Sequence, residues 1–275
     1  MATAPLILPG WTTAQFPVGP SAEARLPFPD AALAAAEDQA LTAVQEPANR
    51  RWLWLLAWLL AAWPLDEPAY GRWRRQLTTL AVPVDPWRHA LAHAQRAGAQ
   101  TVRRAGGRTL SRPPVWIDRV APERLWIDGW AEAQRAWDHA VLEALRAGAD
   151  RADLRRVAAD LWRRQGVAWR RRIVTELSRA YQTGLLTALP GPAWGYVAPI
   201  GDARVCARCH RLLEGRWFRL LPAPPRAPTR TEWLTAFWPG KPAQWQGRDV
   251  PALPQHPFCR HLIQRIRFQP PPERR

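Results

Sequence analysis

The residues whose types and spacing hold the most chemistry are the cysteines. All three lie in the last 70 residues of a 275-residue chain, as Cys206-Ala-Arg-Cys209 and, much later, His256-Pro-Phe-Cys259. Thiolate and imidazole are good donors to zinc, and a two-residue gap lets one tight turn aim both side chains of a pair at one ion. Two such pairs read as the knuckles of a tetrahedral zinc site with Cys206, Cys209, His256 and Cys259 as ligands. Four protein ligands leave no position for a reactive water, so the metal's expected role is structural. The 46 residues between the pairs become a loop closed by the ion, in a proline-rich stretch with too few apolar residues to fold alone. His261, two residues after Cys259, is the main rival for the fourth position, and His210 beside Cys209 is a further candidate. A lone Cys-x-x-Cys is equally a redox pair or two small buried residues. Every cysteine of the chain falling in one paired pattern with a histidine favours metal.

The elements that must position these residues change character along the chain. Pro5, Pro9, Pro17, Pro20 and Pro27 exclude long regular structure from an N-terminal arm, residues 1–29. Helical patterning dominates residues 30–189. Asp30 can cap a helix to about Val44, and a second runs from about Asn49 to Trp63. Asp85-Pro86 opens a helix that Gly106-Gly107 ends. Trp126, Trp130, Ala133, Trp137, Val141 and Leu145 recur at three- and four-residue steps, an amphipathic stripe whose default role is core packing. Gly148 and Asp150 end that helix and cap a long one to about Leu189, with a weak point at Gly166. Pro190-Gly191-Pro192 is the clearest boundary, and residues 190–268 read as a small α+β module with short β pieces at Trp194–Ile200 and Arg216–Leu220. A basic, proline-rich tail, residues 269–275, follows. The fold class expected is therefore a mainly α-helical body with a small C-terminal zinc-stapled α+β module.

Charge is concentrated at one end. Residues 151–275 hold 22 Arg and Lys241 against 8 acids, a balance of +15, whereas residues 1–150 balance to +1. Such a half-molecule predicts a polyanion partner, against the plainer alternative of a solvated, codon-biased surface. Arg170-Arg171-Arg172 is the best phosphate-contact candidate. Lys241 is the only lysine, Asn49 the only asparagine and Met1 the only methionine, which suits a GC-rich genome or a thermophilic source and names no function. The apolar run Trp52–Leu65 has 14 residues where a membrane span needs about 20, so it reads as a buried helix or a partner surface and no stable membrane anchor is expected. The stretch after Met1 lacks the basic start of a signal peptide, and three cysteines without an export signal suggest a reducing compartment.

From about Arg171 to Phe268 the chain resembles the phage Mu F-like head morphogenesis proteins, or phage minor head proteins. The resemblance is carried by Thr175-Glu176, Arg179-Ala180 and Gly184 on a helix, then Asp202-x-Arg204-Val205-Cys206-x-x-Cys209, Leu213-x-Gly215, and Pro254-x-His256-Pro257-x-Cys259-Arg260. Where that family usually ends Cys-Arg-Cys, this chain has Cys259-Arg260-His261, which keeps metal-binding capacity. The resemblance implies a low-copy virion component of the head interior near the portal vertex, present in the host cytoplasm during assembly. It implies binding to the portal protein, a part in procapsid assembly and DNA ejection, and association with packaged DNA. The arginine-rich half suits sequence-independent contact with double-stranded DNA.

Two rival classes are a zinc-stapled DNA-binding regulator and a zinc-stapled nuclease. A nuclease of the His-Asn-His kind needs a histidine base and further histidine or asparagine ligands, and no asparagine follows Asn49. No Gly-rich phosphate loop or Ser-His-Asp set is visible, so no enzymatic activity is expected.

Overall fold

The computed structural model describes residue 28 and residues 31–75, 85–107, 121–200, 205, 207–220, 243–245, 248–250 and 259–269. Within these are six helices, α1 (Ala31–Ala62), α2 (Glu67–Arg75), α3 (Asp85–Arg104), α4 (Ala121–Arg146), α5 (Arg151–Ala188) and α6 (Ala207–Leu212). Five strands accompany them, β1 (Ala193–Val197), β2 (Arg216–Leu220), β3 (Ala243–Trp245), β4 (Arg248–Val250) and β5 (Ile263–Arg267). The protein is thus mainly helical with a small antiparallel sheet towards its C-terminal end.

The chain groups into two compact units that interleave in sequence. A helical unit draws on Thr42–Pro83 and Arg124–Trp169, and a sheet unit on Ser21–Leu41, Val84–Glu123 and Arg170–Arg275. Pro190-Gly191-Pro192 does separate α5 from β1, while the unit holding the sheet also takes in parts of α1, α3 and α5.

Of the stripe expected on α4, Ala133, Trp137 and Val141 are buried in the helical unit and Leu145 is half-buried, the side chains of Trp126 and Trp130 lying outside the described ones; Ala144 is buried beside them. Trp52 of α1 meets Trp137 edge-to-face at 4.5 Å between ring centroids and Trp162 of α5 at 4.8 Å. Such pairs stabilise by about 1 kcal/mol beyond their burial. The run Trp52–Leu65 is chiefly core: Trp52, Leu55, Leu56, Leu59, Leu60 and Trp63 are buried, while Trp54 and Trp58 face outward. No described helix is long and apolar enough to cross a membrane.

The ends of these helices follow local rules. Gly148, with a φ of +64°, closes α4 with the Ala149 amide on the Ala144 carbonyl and the Gly148 amide on the Leu145 carbonyl. Asp150 then caps α5, its Oδ1 accepting from the amides of Ala152 (2.7 Å) and Asp153 (2.8 Å). Gly106 ends α3 in the same way as Gly148 ends α4. Two sequence expectations are corrected. Residues Ala31–Ala62 form one helix and not two, because α1 continues through Pro47; apolar burial before it (Leu33, Ala36, Ala40) and after it offsets the lost bond, about 3 kcal/mol. Gly166 likewise does not interrupt α5, where it is buried.

In the sheet unit the strands run antiparallel in the order β4-β3-β2-β1-β5. Their inner face buries Ala193, Val197, Phe218, Leu220, Ile263 and Ile266. Helices α3 and α5 cross closely enough that only glycine fits at the contact. A Cβ on Gly184 would lie 1.9 Å from the Gln95 carbonyl oxygen, and one on Gly98 would lie 1.9 Å from that of Tyr181. Tyr181 ties this crossing to the sheet by donating its hydroxyl hydrogen to the Ile263 carbonyl at 2.9 Å.

Candidate metal centre

Helix α6 places Cys209, and the segment leading into β5 places Cys259 and His261. All three side chains are buried, and their donor atoms lie within 4.8 Å of one another. The sulfurs are 3.9 Å apart, and Cys259 Sγ is 3.8 Å from His261 Nδ1. That is too far for a disulfide at about 2.05 Å. Bonds of about 2.3 Å to sulfur and about 2.0 Å to nitrogen at tetrahedral angles separate two thiolates by about 3.8 Å, and a thiolate from an imidazole nitrogen by about 3.5 Å. These two separations therefore match those of a metal site, and the cluster could hold an ion.

The support around it has the right chemistry too. The turn after α6 is closed by Gly215, at a φ of +70°, whose amide donates to the Val197 carbonyl at 2.9 Å. That turn holds Glu214. Its Oε1 accepts from the Ile200 amide at 3.0 Å and sits 2.9 Å from His261 Nε2. Its Oε2 sits 2.6 Å from His210 Nδ1. An imidazole whose Nε2–H is held by a carboxylate presents its Nδ1 lone pair in the opposite direction, here towards the two sulfurs, and is the more basic for it. Burial opposes the ionised form of Glu214, but the Ile200 amide and the two imidazoles outweigh it and hold the carboxyl below its usual range. Burial also opposes a charge on His261. Cys259 and Glu214 outweigh it and raise the imidazole's proton affinity.

Arg260, between Cys259 and His261, ties the segment to α1. Its guanidinium is buried, donates to Glu37 Oε1 of α1 at 2.6 Å and lies 5.3 Å from the Phe28 ring centroid. Arg170 Nε donates to the same oxygen at 3.1 Å. Burial raises the Glu37 carboxyl's proton affinity against the pull of both arginines.

Of the residues singled out from sequence, Cys209, Cys259 and His261 come together, while Cys206, His256 and Asp202 lie outside the described residues. His210 is exposed and braces Glu214 from outside the cluster. Among the phosphate-contact candidates, Arg170 is engaged by Glu37, Arg171 is exposed and Arg172 is half-buried. His89, His93 and His139 lie exposed on helix surfaces. Glu176 pairs with Arg179 as a buried carboxylate. Gly184 is a helix-packing contact. Sequence reading passed over Glu214 and Glu37. Glu214 stands four residues after His210 and directly before a turn glycine, a weak cue, and its other partner is 47 residues away. Comparison with protein-family models, with curated proteins and with solved structures found no match. The site is accordingly read from its own geometry.

Proposed function

We propose that this chain is a non-enzymatic structural component of a phage head, of the minor head type, whose sheet unit is stapled by one zinc ion. The observation that carries this reading is the buried Cys209–Cys259–His261 cluster with Glu214 behind the imidazole. Cys206 supplies the fourth ligand by the spacing of its pair with Cys209, and His256 is then the alternative to His261. A complete set of protein ligands makes the ion a staple and not a reaction centre. The same motif residues carry the resemblance to the head morphogenesis family, which brings portal binding, a low copy number and a place inside the head. The arginine-rich C-terminal half supports contact with packaged double-stranded DNA.

Elemental analysis of the purified chain, with thiol titration before and after chelation, tests the metal. One zinc per chain, with three thiols unmasked by the chelator, is the expected result. Three thiols reactive from the start, with no metal, would overturn it. Mass spectrometry of purified phage heads tests the location: the chain should be present at low copy number beside the portal. Its absence from heads would sink the assignment while leaving the zinc staple standing.

A further inference from the structure

The outer face of the sheet carries a pattern that neither the metal nor the core accounts for. Side chains alternate along β1 and β2, and along β5 once the register shift between Ile263 and Arg265 is passed, so Trp194 and Tyr196 of β1, Trp217 and Arg219 of β2, and Arg265 and Arg267 of β5 all stand opposite the buried face. Strand pairing sets them side by side: Tyr196 opposite Trp217 and Arg265, and Trp194 opposite Arg219 and Arg267. The Tyr196 and Trp217 rings are 5.2 Å apart and tilted by 44°. They are tilted and do not stack face to face. The Arg265 guanidinium lies over Tyr196 at 5.7 Å, and that of Arg267 over Trp217 at 5.3 Å. The three arginines are exposed, the three aromatics are half-buried, and no described carboxylate pairs with Arg219, Arg265 or Arg267.

Three rings interleaved with three exposed guanidinium groups on a pleated surface form a stacking platform with anion sites. A purely electrostatic surface has no use for the rings, and an apolar interface has none for exposed arginines. Double-stranded DNA presents phosphates and base edges but keeps its base faces stacked, so it would engage the arginines and leave the aromatics idle. An unpaired strand offers both. Its bases stack on aromatic rings and on guanidinium planes, and its phosphates sit within reach of the arginine side chains.

We propose that this outer sheet face binds single-stranded nucleic acid, with bases stacked on Tyr196, Trp217 and Trp194 and phosphates held by Arg219, Arg265 and Arg267. The site lies on the face of the sheet away from the core. It depends neither on which ion the cysteines hold nor on where in the virion the protein resides.

The test is fluorescence anisotropy with the full chain as purified, using oligo-dT and oligo-U of about 12 nucleotides, a duplex of equal length, and polyglutamate as an acidic polypeptide. A single strand should bind at least tenfold more tightly than the duplex, and preference between the two oligonucleotides then names the sugar. Paired Tyr196→Ala and Trp217→Ala changes should weaken the single strand by about 10- to 100-fold and the duplex hardly at all. Tyr196→Phe with Trp217→Phe should retain binding, which separates stacking from damage to the fold. Arg265→Gln with Arg267→Gln removes two phosphate contacts, and should lower the slope of log affinity against log salt by about 1.4. Equal affinity for duplex or polyglutamate, with no effect of the ring substitutions in chains of unchanged circular dichroism, would overturn the proposal and leave a plain cationic face.

Discussion

In the helical unit the interior is tryptophan against tryptophan: Trp52, Trp137 and Trp162 form its centre, and Gln165 is the one buried polar side chain among the described residues. In the sheet unit the interior holds a guanidinium, two carboxylates, an imidazole and two thiols, besides Gln95, Thr101, Ser178 and Gln182. The first kind of core tolerates small shifts, because dispersion and the hydrophobic effect have little direction. The second does not. A buried charge costs several kcal/mol unless its partner sits within hydrogen-bond reach, so each polar member constrains where the others stand. One unit is held by volume, the other by pairing.

Substitutions can break this contrast, and the largest effect is expected at the metal. Cys259→Ser should abolish metal binding and the cooperative melting of the sheet unit, since structural zinc contributes on the order of 10 kcal/mol to folding in small modules. Far-ultraviolet circular dichroism should still report the helices of the other unit. Full metal stoichiometry in that variant would contradict the ligand assignment. Trp137→Ala opens a cavity in the tryptophan centre and should cost about 4 kcal/mol in denaturant melts, with metal content unchanged. Glu37→Gln leaves Arg260 and Arg170 facing a neutral amide and should destabilise the sheet unit by about 3 kcal/mol. Replacing Gln165, the helical unit's lone buried polar group, should cost far less. Gly184→Ala forces α3 from α5 and should cost about 2 kcal/mol. Metal affinity should fall with it only if the crossing supports the site, as equilibrium competition with a chelator would read. Smallest of all, Asp160→Asn removes the exposed pairs with Arg163 and Arg164 and should leave the melting temperature unchanged.

The same contrast explains what was legible in the sequence. The α4 stripe, the α3 start at Asp85, the glycine stops at Gly106 and Gly148 and the Asp150 cap are local rules, and each held. Pro47 misled because a local rule was overridden by burial along both halves of α1. Cys209, Cys259 and the rival ligand His261 stood out because rare soft donors at short spacing are visible in one dimension. Glu214 and Glu37 did not. A carboxylate is common in any sequence, and what distinguishes these two is a partner 47 and 223 residues distant. The outer sheet face was hidden for a similar reason, because its six side chains come from three strands whose register no single strand reveals.

The segment Cys259-Arg260-His261 lends its outer two residues to the buried Cys/His cluster and holds Glu37 with the middle one. This sets how much chain must travel together if the module is moved to another protein. Excision at Pro190 would deliver every thiol and yet strand Arg260 without Glu37, and the sheet without the Tyr181 hydroxyl that anchors Ile263. The smallest transplantable piece is therefore discontinuous. It joins the opening turns of α1, the α3–α5 crossing and the final hundred residues, and a graft of the last alone would arrive as ligands without a frame.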